Sequence, residues 1–119
     1  MHVINMKDVE KTPAKSTLFT SSEVSFQPLI PEGGDYKMIV VSFGKGVRNK
    51  FHTHESDQIL VVTEGKGIVS TEGAQKEVTI GDVILFSAGE KHWHGASDDS
   101  TFSHIAISRA ESKTTQVED

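Results

Sequence analysis

Two histidines one residue apart, His52 and His54, lie in a stretch of β-forming character, and a third, His92, follows a glycine-rich turn much later in the chain. Alternate side chains leave the same face of an extended strand, so these two imidazoles project about 6.5–7 Å apart along it. Two rings placed in this way can converge on one metal ion. Gln58 opens the next apolar run, and His92 arrives from a separate segment, as a barrel would bring a ligand from another strand. The chain has no cysteine. Disulfides, a thiol nucleophile and thiolate ligation are therefore excluded, and any metal must be held by nitrogen and oxygen. Taken alone, a His-x-His pair fits a solvated strand face equally well.

Strand alternation extends the set. His94 lies two residues from His92, and His104 lies two from both Phe102 and Ala106, so each can face the same interior. A histidine beside a metal but not bound to it can move protons near neutral pH, and the alternative for either residue is a hydrogen-bonded structural role. The single tryptophan, Trp93, should point the opposite way, towards a packing face or subunit contact. Phe51 and Phe86 are expected to fill core, and Arg48 and Lys50 to occupy a solvated strand face.

The elements that must position these groups read as strands. Of 42 apolar residues, Val and Ile supply 21 and Leu and Ala only 10, which favours pleated surfaces over helical faces. Short runs alternate with turn clusters. Tyr36 to Phe43 precedes Gly44-Lys45-Gly46, Gln58 to Thr63 precedes Glu64-Gly65-Lys66-Gly67, and Ile68 to Thr71 precedes Glu72-Gly73-Ala74. Lys76 to Ile80, Val83 to Phe86 and Phe102 to Ser108 follow. This punctuation predicts a single antiparallel sandwich or small barrel without a helix of consequence. Residues 1–22 read as an N-terminal arm or edge strand, 23–109 as the barrel, and 110–119 as a charged, Thr-rich tail expected to fray.

Spacing around the histidines adds a resemblance. Gly46, five residues, His52-Thr53-His54, three residues, Gln58, six residues and Gly65 match the first cupin motif, with Gln where Glu is usual. Gly81, five residues, Ser87, one residue, Gly89, two residues and His92 match the second, with Ser87 in place of Pro and Ala96 where an Asn often closes it. The chain therefore resembles a small single-domain cupin over Gly46 to Ala96. The resemblance implies an all-β double-stranded β-helix, or jelly roll, with a divalent metal held by His52, His54, Gln58 and His92. Three neutral imidazoles and an amide leave such an ion its full +2 charge, which favours Lewis acidity and anion binding. Open coordination positions suit Mn first, with Fe, Ni or four-coordinate Zn as alternatives.

Gly89-Glu90-Lys91-His92-Trp93-His94-Gly95-Ala96, followed by Ser103-His104-Ile105-Ala106-Ile107, is similar to the cupin hydroxynitrile lyases and to small cupins related to carboxymuconolactone-decarboxylase-type proteins. That group also carries Gln at the fourth ligand position. It implies manganese, with His104 as the proton-transfer residue, while His94 stays a candidate second acid or base on strand alternation alone. Such sequences often carry Gln four residues beyond that histidine, where this chain has Ser108.

These readings lead to a metal-dependent lyase acting on cyanohydrin-like or other small oxygenated substrates. The alternatives are a cupin dioxygenase or a non-catalytic small-ligand-binding cupin, with a sugar-phosphate isomerase as a third possibility that would need cations inside the barrel. The net charge of -5 and the lack of a basic stripe argue against nucleic acid as a partner. No apolar run exceeds four residues, so no membrane span is expected, and the N-terminus lacks signal-peptide character, which makes the cytoplasm the default location. A homodimer is expected because a small jelly roll leaves edge strands open, with Phe19 to Phe26 as the segment to add or exchange.

Overall fold

The computed structural model describes all 119 residues. After a 3-10 turn at Met6–Asp8 come ten strands: β1 (Thr12–Pro13), β2 (Val24–Pro28), β3 (Tyr36–Phe43), β4 (His52–His54), β5 (Gln58–Thr71), β6 (Gln75–Thr79), β7 (Val83–Phe86), β8 (His92–Ala96), β9 (Phe102–Arg109) and β10 (Thr114–Gln116). One curved layer runs β1-β2-β3-β9-β5-β7 and the other β10-β4-β8-β5-β6, every pairing antiparallel. This is the all-β, single-domain barrel that the β-branched composition predicts. No helix is long and apolar enough to cross a membrane.

Two local expectations are corrected. Glu64-Gly65-Lys66-Gly67 is not a turn, because β5 continues through it from one layer into the other. Its first half pairs with β7 and β9, its second with β6 and β8, and the register shifts between Val62 and Glu64. The glycines make this crossing possible. Gly65 sits at φ +71°, and a Cβ there would strike the Thr101 carbonyl; at Gly67 it would strike the Phe102 ring.

The tail does not fray. Thr114, Thr115 and Gln116 pair with His54, Thr53 and His52. The Glu118 carboxylate accepts the Phe51 N–H and meets the Arg48 guanidinium, which stacks on Trp93 at 4.5 Å. The physical reason lies in β4, which is joined to β8 at one register position only and would otherwise leave its other edge open. Arg48 is thus ion-paired rather than merely solvated.

The N-terminal segment is taken up by its own chain. β1 forms an edge beside β2, Phe19 bridges Asn49, and the Gln27 amide donates to the Met6 and Val9 carbonyls. Inside the barrel, Leu60 and Phe102 have no exposed surface, and Phe43 stacks on Phe102 at 6.1 Å. Each such side chain contributes about 1.5–3 kcal/mol by leaving water. The outer face is different. Register places Met38, Ile107, Ile59 and Leu85 in one row across β3, β9, β5 and β7, with Ile105, Val61 and Val83 beside it. Val83 and Leu85 are 67% and 60% exposed.

Candidate metal centre

β4 presents His52 and His54 on one face, and β8 places His92 directly opposite His52. The three imidazoles form a triangle with centroid separations of 4.8, 4.3 and 5.1 Å, and their ligand atoms all lie within 4.8 Å of one another. Gln58, at the start of β5, brings its Oε1 to 3.2 Å from His92 Nε2. Phe86, opposite Gln58 on β7, stacks on the His92 ring at 3.9 Å.

Hydrogen bonds determine which ring nitrogens are free. His52 Nδ1–H donates to the Lys50 carbonyl at 2.6 Å, and His92 Nδ1–H donates to the Glu90 carbonyl at 2.9 Å. A carbonyl only accepts, so both protons reside on Nδ1 and both Nε2 lone pairs remain available. His54 Nδ1 shares a 2.9 Å hydrogen bond with Thr114 Oγ1, and its buried Nε2 has no partner. Three orientations fixed through Nδ1 and three Nε2 atoms brought together are what a metal-binding histidine set needs.

The donor set passes a further test. His92 Nε2 and Gln58 Oε1, as placed, are two lone pairs 3.2 Å apart, and a cation shared between them relieves that repulsion. Turning the amide over would let Gln58 Nε2–H donate to His92 Nε2, yet the orphan at His54 would persist. A divalent ion fits these residues.

Deeper in the barrel lies a second chain of hydrogen bonds. Asn49 Oδ1 accepts the His94 backbone N–H at 2.8 Å, which fixes the amide so that Nδ2–H donates to His94 Nε2 at 3.2 Å. His94 therefore carries its proton on Nδ1 and donates it to His104 Nε2 at 3.0 Å. His104 in turn must be protonated at Nδ1, which is buried and has no hydrogen-bond partner. Phe43 packs its ring against both imidazoles.

Burial is the main reason all five rings resist protonation. It pushes His52 down to about 4, helped by the like charge of His92, and does the same to His54, where His52 and Lys37 add to the effect. His92 is also lowered to about 4, against an opposing pull from the Glu90 carbonyl. His104 falls to about 4 despite the nearby Ile105 carbonyl, and His94 is pushed well below its usual range by burial and then by His104. The rings are thus neutral at physiological pH, as metal ligation requires.

The same shifts give a pH prediction. Folded-state values lie below the unfolded value of about 6.5, so the unfolded chain takes up more protons between about pH 6.5 and 4 and stability falls as pH falls. The contribution is complete above about 6.5 and is lost towards 4; a fully buried ring such as His104 accounts for about 3 kcal/mol. Urea midpoints of EDTA-treated protein at pH 7, 5.5 and 4.5 should drop in that order. A flat series would contradict the neutral buried set.

His52, His54, Gln58, His94 and His104 line one cavity of about 290 Å³ whose opposite wall is apolar, including Phe26, Ile39 and Val41, and His92 packs behind it against His52 and Gln58. All six residues singled out by spacing are therefore brought together. Sequence reasoning missed Asn49, Thr114 and Lys37, which line the same cavity. For Asn49 a signal existed, since alternation from Val47 turns it inward.

The model of a protein family described as a cupin domain matches residues 39–108. The chain belongs to the cupin family. This cupin is 48% identical over 68 residues to an (R)-mandelonitrile lyase of Granulicella tundricola. The match covers 56% of this chain and 52% of that protein, so the cupin spans about half the length of the curated relative it matches. A cupin-like protein of Thermotoga maritima superposes with a TM-score of 0.86 at 28% identity, over 94% of this chain and 89% of its own. A polyketide cyclase of Streptomyces resistomycificus gives 0.87 at 19% identity over 98% and 85%, a likeness of fold alone.

Proposed function

We propose that this cupin is a metal-dependent lyase acting on cyanohydrins or closely related small oxygenated substrates, with manganese as its metal. The observation that carries the reading is that two residues lining one cavity each keep a buried ring nitrogen without a partner: Nε2 of His54, free to offer a lone pair when its Nδ1–H donates to Thr114 Oγ1, and Nδ1 of His104, which carries a proton. Leaving either unsatisfied costs about 1–3 kcal/mol, so both are groups waiting for a ligand. The similarity to an (R)-mandelonitrile lyase supports the choice of substrate class.

His52, His54 and His92, with Gln58, hold the ion. When bound it supplies a Lewis acid that lowers the pKa of a substrate hydroxyl. His104 holds its proton at Nδ1 and stabilises the charge that develops on the departing cyanide. His94 and Asn49 keep that proton on Nδ1 through their fixed hydrogen bonds, which makes them positioning residues. The apolar wall takes the hydrocarbon part of the substrate and excludes water. The overall reaction balances without an outside reactant: the carbon–carbon bond of R–CH(OH)–CN breaks, cyanide leaves with the electron pair, and the hydroxyl proton ends on it to give aldehyde and hydrogen cyanide.

The test is benzaldehyde release from mandelonitrile by metal-loaded protein, followed by absorbance. Oxygen uptake with a catechol or diketone and no aldehyde release would reassign the site to a dioxygenase. Binding without turnover would make it a ligand-binding cupin.

In the same reading two copies pair through the outer apolar face rather than through Phe19 to Phe26, because β2 is already flanked by β1 and β3 and Phe19 bridges Asn49. Val83 and Leu85 form the centre of that contact, which has to bury about 1,200–2,000 Å² in total. Leu85→Glu is expected to convert a dimer into a monomer by light scattering. A monomeric wild type at micromolar concentration would remove the dimer from the reading.

A further inference from the structure

One charged residue lines the cavity, and it is a lysine. Lys37 pairs in register with Ser108 across β3 and β9, and Ser108 pairs with Gln58 across β9 and β5. These three cavity-lining residues thus form one row over three adjacent strands, the two ends about 10 Å apart at the backbone. Lys37 is in phase with Ile39 and Val41, so it belongs to the interior face of β3.

The surroundings of its ammonium differ from those of the four cations that form ion pairs. Arg48, Lys66, Lys91 and Arg109 each face a carboxylate, from Glu118, Asp99, Glu72 and Glu111 respectively. Lys37 Nζ instead donates to a backbone carbonyl, that of Ser112, at 2.9 Å. An ammonium has three donors, so two are left for a ligand. No Asp or Glu lines the cavity, although the chain carries a net charge of -5. The positive charge of Lys37 is thus held in place by a neutral group, and its acidic neighbour Glu111 is exposed and outside the cavity lining.

We propose that the cavity takes a small hydroxy- or oxo-carboxylate, with its carboxylate on Lys37 Nζ, its hydrocarbon part against Ile39 and Val41, and its oxygen function at the histidine triad. This deepens the functional reading above, on which it rests for the place of the reacting oxygen. It also supplies the interior cation that the sequence, with only Arg48 and Lys50 as candidates, did not reveal.

The test is calorimetric titration with mandelate and with mandelamide, a neutral analogue of the same shape. Metal-loaded wild type is expected to bind mandelate about tenfold or more tighter, since a charge-assisted contact replaces a neutral one. Lys37→Met should bring the two ligands within about twofold of each other, with mandelate losing the larger share of its affinity, and Lys37→Arg should keep the preference. Lys37→Gln, which retains a donor for the Ser112 carbonyl, serves if the methionine variant is unstable. Equal affinities in the wild type, or a preference that survives loss of the ammonium, would overturn the proposal and leave any anion binding to the metal. Repeating the titrations on metal-free protein separates this result from failure of the metal site. A Lys37-dependent preference without aldehyde release from mandelonitrile upholds the carboxylate subsite while removing the cyanohydrin reaction.

Discussion

Replacing His52 with alanine is expected to take the protein from about one divalent ion per chain to a trace, as measured by elemental analysis after metal loading and dialysis. The expected effect is large because His52 connects the other two rings. It stands opposite His92 across β4 and β8 and two residues from His54 on the same strand face. Without it two imidazoles remain, joined only by the weak oxygen donor of Gln58. The support beyond the ligands gives a graded companion result. Thr114→Val removes the hydroxyl that holds His54 Nδ1, and should weaken metal affinity by about 10–100-fold without abolishing it. If the alanine variant retained full metal content, the ion would be elsewhere and the triad would lose its role.

The second large effect is expected at His104. His104→Gln should lower aldehyde release from mandelonitrile by about 10²–10⁴-fold, with metal content unchanged. The argument rests on a sequence of forced donors. The His94 backbone fixes the Asn49 amide, the amide fixes His94, and His94 fixes the proton of His104 on Nδ1. Glutamine can still accept from His94, but it cannot offer the same N–H from the same place. Because that proton is used when charge develops on the leaving group, kcat should fall more than KM rises. A variant equal to wild type would remove His104 from the chemistry and leave it a buried structural ring.

The candidate metal ligands were legible because most of their signal is local. His52, His54 and Gln58 lie within seven residues, and the Gly81 and Gly89 turns that precede His92 do mark the ends of short strands. Of the three residues missed, Lys37 and Thr114 depend on information that spacing does not carry. Lys37 begins a run, Lys37 to Val41, whose apolar residues Met38 to Val41 fall on both faces of β3, so no alternation indicates which face is interior. Thr114 meets His54 only because β10 closes the open edge of β4, a pairing across sixty residues in a tail whose composition resembles a solvated end. Glu64 to Gly67 misled in the opposite direction. The glycines there do not end a strand but let it bend past Thr101 and Phe102, which no local rule separates from a turn.

That bent strand also bears on how this domain can vary. Both layers take their register from β5, which pairs with four partners along its length. One residue inserted before the shift at Val62 would exchange Gln58 and Leu60 with the outward-facing Ile59 and Val61, placing an isoleucine where the amide oxygen should be. The turn around Gly33 and Gly34 lies at the other extreme, since an added side chain there meets nothing. Tolerance to insertion is therefore graded along the chain. Loops can lengthen and reshape what enters the barrel, while the length of β5 is fixed by the two sheets that it keeps in step.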